Sequence, residues 1–193
     1  MDIRKNRMIL MRCYMKHIIV ITSSPRKKGN SNALAEAFAK GAADGGHTVE
    51  IVSVAEKRME FCRGCMVCNQ TNRCVISDDM AQILPKMAKA DVLVFATPVY
   101  YYSVSGQLKT FFDRTSPLFT AKYNFRDVYL LAAAAENEPE TIAGTVRAMQ
   151  GWLDCFPGTR LAGTVFAGGV DNVGDIAGHK ALQEAYCAGQ QIV

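Results

Sequence analysis

The sequence predicts an α/β domain built on a doubly wound parallel sheet with helices on both faces. Three observations carry that expectation. Short continuous apolar runs rich in β-branched residues recur along the chain, and strands buried on both faces read this way. Each run is followed by a segment whose apolar residues fall at helical spacing. The strand-then-helix unit recurs five times without a linker or an internal repeat.

The first strand is His17-Ile-Ile-Val-Ile21, and a polar loop from Thr22 to Ser31 follows it. A helix then starts near Asn32, with Leu34, Ala37, Phe38 and Gly41 on one face, and Gly45-Gly46 ends it. Thr48 to Val54 reads as the second strand, and a cysteine-rich segment spans about Glu60 to Val75. Ser77-Asp78-Asp79 caps a helix whose apolar positions are Met80, Ile83, Leu84 and Met87. Asp91 to Ala96 is the third strand, Thr97 to Gly106 a loop, and Leu108, Phe111 and Phe112 the inward face of the next helix. Val128 to Ala135 is the fourth strand, and Pro139 opens a helix with the stripe Ile142, Val146, Met149, Leu153. Leu161 to Ala167 is the fifth strand, and the last helix is expected from Asp175 to about Gly189.

Composition bounds the function. The chain has 193 residues, enough for one domain at ~100–200 residues each, and it needs no staple to hold its core. The apolar fraction is 49% and the charged fraction 21%, which excludes disordered and low-complexity classes. A net charge of +4 suits an anionic small ligand better than a nucleic-acid surface, so no nucleic-acid partner is expected. No run of ~18 apolar residues occurs, and no membrane span is expected. Residues 1–15 lack a signal-peptide core and read as a leader, with the domain proper at 16–193. Seven cysteines, an odd number with CxxC spacing, indicate a reducing, cytoplasmic setting. Cys155 and Cys187 sit in apolar helical stretches and read as core residues.

Ligands of doubly wound sheets bind beyond the carboxyl ends of the strands. The first such loop carries Ser23, Ser24, Arg26, Asn30, Ser31 and Asn32 and runs into a helix. Hydroxyls, backbone N–H groups, a helix N-terminus and a full positive charge are what a phosphate needs. The same residues would also serve a capped helix start in a solvated basic loop. No Gly-Lys-Ser/Thr, no Gly-x-Gly and no Cys-x5-Arg occurs, which leaves a mononucleotide phosphate as the guest. The third loop carries Pro98, Val99, Tyr100, Tyr101, Tyr102 and Ser103, and its tyrosines suit a flat aromatic ring or a subunit contact.

Ser24-Pro-Arg-Lys-Lys-Gly-Asn-Ser-Asn32, Cys62-Arg-Gly-Cys65, Asp78-Asp79-Met80, Ala96 to Lys109 and Asp113-Arg114 together resemble the NADPH-dependent FMN reductase family. More narrowly they resemble its iron–sulfur flavoprotein and multimeric flavodoxin branch. The resemblance covers residues 16–115 most fully. It implies a flavodoxin-like fold with five strands in the order 2-1-3-4-5. It also implies FMN, NAD(P)H as electron donor, and a homodimer or homotetramer. It sets Ser23, Ser24, Arg26, Asn30, Ser31 and Asn32 around the FMN phosphate and Pro98, Val99, Tyr100, Tyr101 and Ser103 along the isoalloxazine. Where the family often has a Gly-rich loop after the fourth strand, this chain reads Ala132-Ala-Ala-Ala-Glu136-Asn137.

Cys62-x2-Cys65-x2-Cys68-x5-Cys74 is a second signal, because thiolates two residues apart can reach neighbouring corners of a cubane. A [4Fe–4S] cluster and an empty or redox-active thiol loop both stay open, while zinc suits the spacing less well. Three functional readings follow. The first is an FMN-dependent NAD(P)H oxidoreductase serving a quinone, a flavin or a similar small acceptor. The second is an iron–sulfur flavoprotein that carries electrons to a redox protein. The third is a non-redox zinc-binding module. No catalytic triad is evident, as flavin chemistry requires none.

Overall fold

The computed structural model describes residues 15–193, so Cys13 and all of the leader except Met15 lie outside the described residues. β1 (His17–Thr22) pairs in parallel with β2 (Thr48–Ser53) on one side and with β3 (Val92–Tyr100) on the other. β3 folds back through the two-residue β4 (Ser103–Val104), its antiparallel partner. On its parallel side β3 meets β5 (Asp127–Ala133), and β5 meets β6 (Arg160–Ala167). The parallel order β2-β1-β3-β5-β6 is the flavodoxin-like arrangement.

Among the described residues the sheet has six strands, not the expected five. The difference lies in the segment read as a loop after Ala96. β3 continues to Tyr100, and Tyr101 and Tyr102 turn the chain with φ of 49° and 58°. Two-residue hairpin turns of this hand need positive φ at both positions and ordinarily use Asn-Gly. A Tyr-Tyr turn gives no such signal.

Side-chain alternation along β1 divides the core. Ile18 and Val20 pack with α1 (Asn30–Asp44) and, later in the chain, the C-terminal helix; Ile19 and Ile21 pack on the opposite face. All four are fully buried, each worth about 1.5–3 kcal/mol relative to exposure. The single turn α2 (Cys68–Thr71) lies in the cysteine segment. α3 (Met80–Lys89), α4 (Gly106–Asp113) and α5 (Ala143–Leu153) cover the Ile19 face, with Met87, Phe111 and Trp152 among the buried residues. α6 (Lys180–Gln190) lies against α1 on the other face. Their approach is close: a Cβ on Gly41 would overlap Tyr186 O, and one on Gly189 would overlap Phe38 O. No helix of the described residues is long and apolar enough to cross a membrane.

Two local expectations are corrected. α6 begins at Lys180 rather than Asp175, because the Asp175 carboxylate accepts the N–H groups of Asp171 (3.1 Å) and Asn172 (2.7 Å) and holds a turn. His179 takes over as N-cap, its Nδ1 accepting from Ala181 N–H at 3.1 Å. Cys155 is exposed just past the end of α5, where Trp152 and Leu153 already fill the apolar face, and Cys187 is only half-buried. Ahead of α3, the expected capping segment acts through Asp78, whose Oδ1 accepts from Met80 N–H at 3.1 Å, while the Asp79 side chain makes no capping bond.

Candidate functional site

The carboxyl ends of β1, β3, β5 and β6 open on one concave pocket. Its walls are Ser24, Arg26 and Gly29–Ser31 from the first loop, Pro98–Tyr100 from β3, Ala133–Ala135 after β5, and Val170-Asp171 after β6. Within the first loop Ser24 Oγ accepts from Arg26 N–H at 3.2 Å and closes a tight turn. Gly29 is needed where the chain doubles back, since a Cβ there would lie 2.5 Å from Ser24 Oγ. Asn32 Nδ2 donates to Arg26 O at 3.1 Å, stiffening the loop rather than facing the pocket. Arg26 Nη1 donates to Asp171 O at 2.6 Å, tying the β1 loop to the β6 loop across the pocket mouth.

Two buried polar atoms in this wall have no partner among the described residues. Ser31 is 2% exposed and its Oγ makes no hydrogen bond. Asn30 donates through Nδ2 to Asn172 O at 2.9 Å while its Oδ1 is unpaired. Ser31 stands in the first turn of α1, where backbone N–H groups have no intrahelical acceptor. A buried hydroxyl without a partner costs about 1–3 kcal/mol. The wall thus offers a guest one hydroxyl that can donate, Ser31 Oγ, and one amide oxygen that can only accept, Asn30 Oδ1.

The structure separates the remaining sequence candidates. Ser23 stands behind the pocket: fully buried, its Oγ donates to Ala96 O at 3.1 Å and accepts from Ser105 Oγ at 2.9 Å. Ser103 lies on β4 opposite Tyr100 and does not line the pocket. Tyr101 and Tyr102 form the hairpin tip beside an adjoining hollow lined also by Val99, Glu136 and Thr141. Tyr102 Oη donates to Glu136 Oε2 at 2.9 Å, and that hydrogen bond to a carboxylate pushes the phenol above its ordinary pKa. Sequence reasoning missed Ala133–Ala135, Val170 and Asp171. Short apolar side chains at strand ends carry no chemical signal, although small residues are what lets a flat ring approach backbone.

The four cysteines of the second site border a single small hollow, nearly all apolar, together with Ile76 and Phe119. Cys62 and Cys65 are exposed; Cys68 and Cys74 are half-buried. Burial raises the Cys68 thiol above its ordinary pKa, and the neighbouring Cys74, Cys62 and Cys65 raise it further. Among the described residues no group of three or more His, Cys, Asp or Glu is drawn close enough to hold a metal ion. The donor set itself fits a thiolate-ligated centre: four sulfurs around one hollow on a loop with left-handed positions at Gly64, Met66 and Asn72.

Under this loop lies Arg114, 1% exposed. Its Nη1 donates to Glu60 O at 2.6 Å and to Asp78 Oδ2 at 2.6 Å; its Nη2 donates to Asp78 Oδ1 at 2.9 Å and to Cys74 Sγ at 3.6 Å. Burial would raise the Asp78 carboxyl, but the hydrogen bonds and charge of Arg114, with the N–H groups of Glu60 and Met80, outweigh it and hold the carboxyl below its ordinary value. The sequence held a clue to this residue. Arg114 falls three positions after Phe111, on the buried face of the α4 stripe.

Comparison with known proteins follows the same lines. The family model for NADPH-dependent FMN reductase matches residues 16–170. An iron-sulfur flavoprotein of Archaeoglobus fulgidus is 33% identical over 136 residues, covering 68% of this chain and 61% of its own length. An iron-sulfur flavoprotein of Methanocaldococcus jannaschii is 40% identical over 101 residues, covering 52% of each. This chain therefore spans less than two thirds of the length of these curated relatives. Among solved structures, an NAD(P)H:quinone oxidoreductase from Methanothermobacter marburgensis superposes with a TM-score of 0.71 at 20% identity, covering 91% of this chain and 96% of the other. A WrbA-like flavodoxin from Agrobacterium tumefaciens superposes with a TM-score of 0.63 at 18% identity, covering 92% and 94%. At that identity the structural likeness speaks for the fold. The family match runs from just before β1 to the loop after β6, taking in every strand of the sheet, the cysteine loop and the pocket wall except Asp171, and it shows that the chain belongs to the NADPH-dependent FMN reductase family.

Proposed function

We propose that this protein is an FMN-dependent NAD(P)H oxidoreductase that passes electrons to a quinone, a flavin or a similar small acceptor. The observation that carries the reading is the buried, unpartnered Ser31 Oγ at the N-terminus of α1, in a pocket at the carboxyl ends of the parallel strands. Bound there, FMN would supply hydride acceptance from a nicotinamide and electron release to an acceptor. The chain supplies the binding. Ser24, Arg26, Asn30 and Ser31 are the residues to hold a phosphate and the hydroxyls next to it, with Asn30 Oδ1 as an acceptor and Ser31 Oγ as a donor. Pro98, Val99 and Tyr100 form one wall for a flat ring, and Ala133–Ala135 leave room for its edge. Tyr101, fully exposed beside the pocket, suits a contact in a homodimer or homotetramer. Six free cysteines among the described residues suit a reducing cytoplasm.

A spectrum of the protein purified without oxygen tests this. Flavin absorption that appears with added FMN and bleaches with NADPH supports the reductase. Bands that form but do not bleach indicate a carrier, and a protein that stays colourless with FMN overturns the flavoprotein reading.

The hollow shared by four cysteines favours a second, compatible reading. Cys62, Cys65, Cys68 and Cys74 would hold a [4Fe–4S] cluster, which supplies one-electron exchange and would let the chain serve a redox-protein partner. Iron and sulfide content, together with a broad absorption lost in Cys65→Ala, checks it. Zinc bound in place of iron would return the third sequence reading.

A further inference from the structure

The buried guanidinium beneath the cysteine loop is costly to desolvate, and neither the pocket nor the sheet needs it. A buried ion pair is a weak device for stability alone, because apolar residues of similar size do as well or better. The placement of Arg114 says more. It sits at the end of α4, yet its polar contacts lie at the two edges of the cysteine segment. On one side it holds Glu60 O, where the chain enters the loop. On the other it holds Asp78, four residues past the last cysteine, and Asp78 Oδ2 accepts Glu60 N–H at 3.0 Å. Entry and exit of the loop are thus fastened to each other and to one cation. The remaining contact is with a sulfur: Nη2 lies 3.6 Å from Cys74 Sγ, so a positive charge with an N–H donor meets that thiol directly. Arg114 Nε has no hydrogen-bond partner among the described residues.

We propose that Arg114 is a positioning residue for the cysteine loop, holding Cys74 in place and favouring the more negative state of whatever the four thiolates ligate. The proposal rests on the iron–sulfur reading above. One-electron reduction adds a negative charge at the thiolate site. Reduction potentials of such sites respond to net charge and to hydrogen bonds on sulfur. A fixed cation that also donates to Cys74 stabilises the reduced form. Asp78, the other half of the pair, acts with the opposite sign.

That opposition separates an electrostatic role from a purely structural one. The native protein, Arg114→Lys, Arg114→Gln and Asp78→Asn would be loaded with ferric iron, sulfide and a thiol reductant without oxygen. Iron per chain and the midpoint potential would then be measured by an optical or paramagnetic-resonance titration. The expected result for Arg114→Gln is an about tenfold weaker equilibrium for reduction, about 59 mV for a one-electron couple. Arg114→Lys should retain most of the native potential, and Asp78→Asn should move it upward. Arg114→Gln and Asp78→Asn moving the same way, or neither moving, would overturn the role of Arg114 while leaving the cluster in place. A native protein that takes up no iron overturns the cluster reading itself. Should Arg114→Gln not fold, an upward shift in Asp78→Asn beside a near-native potential in Arg114→Lys supports the role, and an unmoved or lowered potential in Asp78→Asn overturns it.

Discussion

Replacing Asp78 by asparagine removes one charge from a pair in which both side chains are completely shielded from solvent. The carboxylate accepts two bonds from Arg114, at 2.6 and 2.9 Å, and one each from the N–H groups of Glu60 and Met80. Asparagine keeps one acceptor oxygen and leaves the guanidinium uncompensated. Breaking a buried pair from one side costs about 3–5 kcal/mol, a large part of a total stability of about 5–15 kcal/mol. For a chain of this size each kcal/mol moves the melting temperature by about 2–4 °C, so a drop of about 6–20 °C is expected. Urea melts at several pH values extend the test. The native carboxyl titrates below the ordinary value of about 3.9, so its stabilising contribution is fully present above that pH and is lost as pH falls through the depressed native value. The gap between native and Asp78→Asn should therefore be constant near neutrality and narrow only in acid. The double variant Asp78→Leu/Arg114→Met should recover most of the loss. A cost under about 1 kcal/mol at pH 7 would refute the argument from burial, since an exposed pair costs no more than that.

Other outcomes follow from the same geometry. Ser31→Ala should weaken FMN binding about 10–100-fold, the value of one hydrogen bond to a charged group, while the FMN-free protein gains up to about 1–3 kcal/mol from losing an unpaired buried hydroxyl; quenching of flavin fluorescence and urea melts read the two effects. Equal affinity would remove Ser31 from the phosphate site. Gly189→Val should destabilise by about 1–3 kcal/mol or more in urea, because even its Cβ overlaps Phe38 O where α6 crosses α1. Tyr101→Asn should raise stability by up to about 1 kcal/mol, since Tyr101 holds φ of 49° in full exposure and asparagine tolerates that region; a loss would mean the tyrosine ring makes a contact in solution.

The wall residues of the pocket were divided unevenly between sequence and structure. The sequence by itself determined the parallel α/β plan, because buried strands must be apolar on both faces and their connecting helices on one. Ile18–Ile21 and the stripe of α3 show that without any three-dimensional information. It also marked the β1 loop and the four-cysteine spacing, since Ser, Asn, Arg and Cys carry chemistry in their side chains. It did not separate Ser23 from Ser31, which look alike in the chain. Only the tertiary structure does, by seating Ser23 against Ala96 O and Ser105 and leaving Ser31 unpaired. The Tyr101-Tyr102 hairpin and the Ala133–Ala135 wall were likewise hidden, because their roles lie in backbone shape and missing bulk. Arg114 is a divided case, since its place three after Phe111 sets it on the buried face of α4. Its charge suggests a surface position, and only long-range packing, which brings residues 60, 74 and 78 around the end of α4, makes a buried cation affordable there.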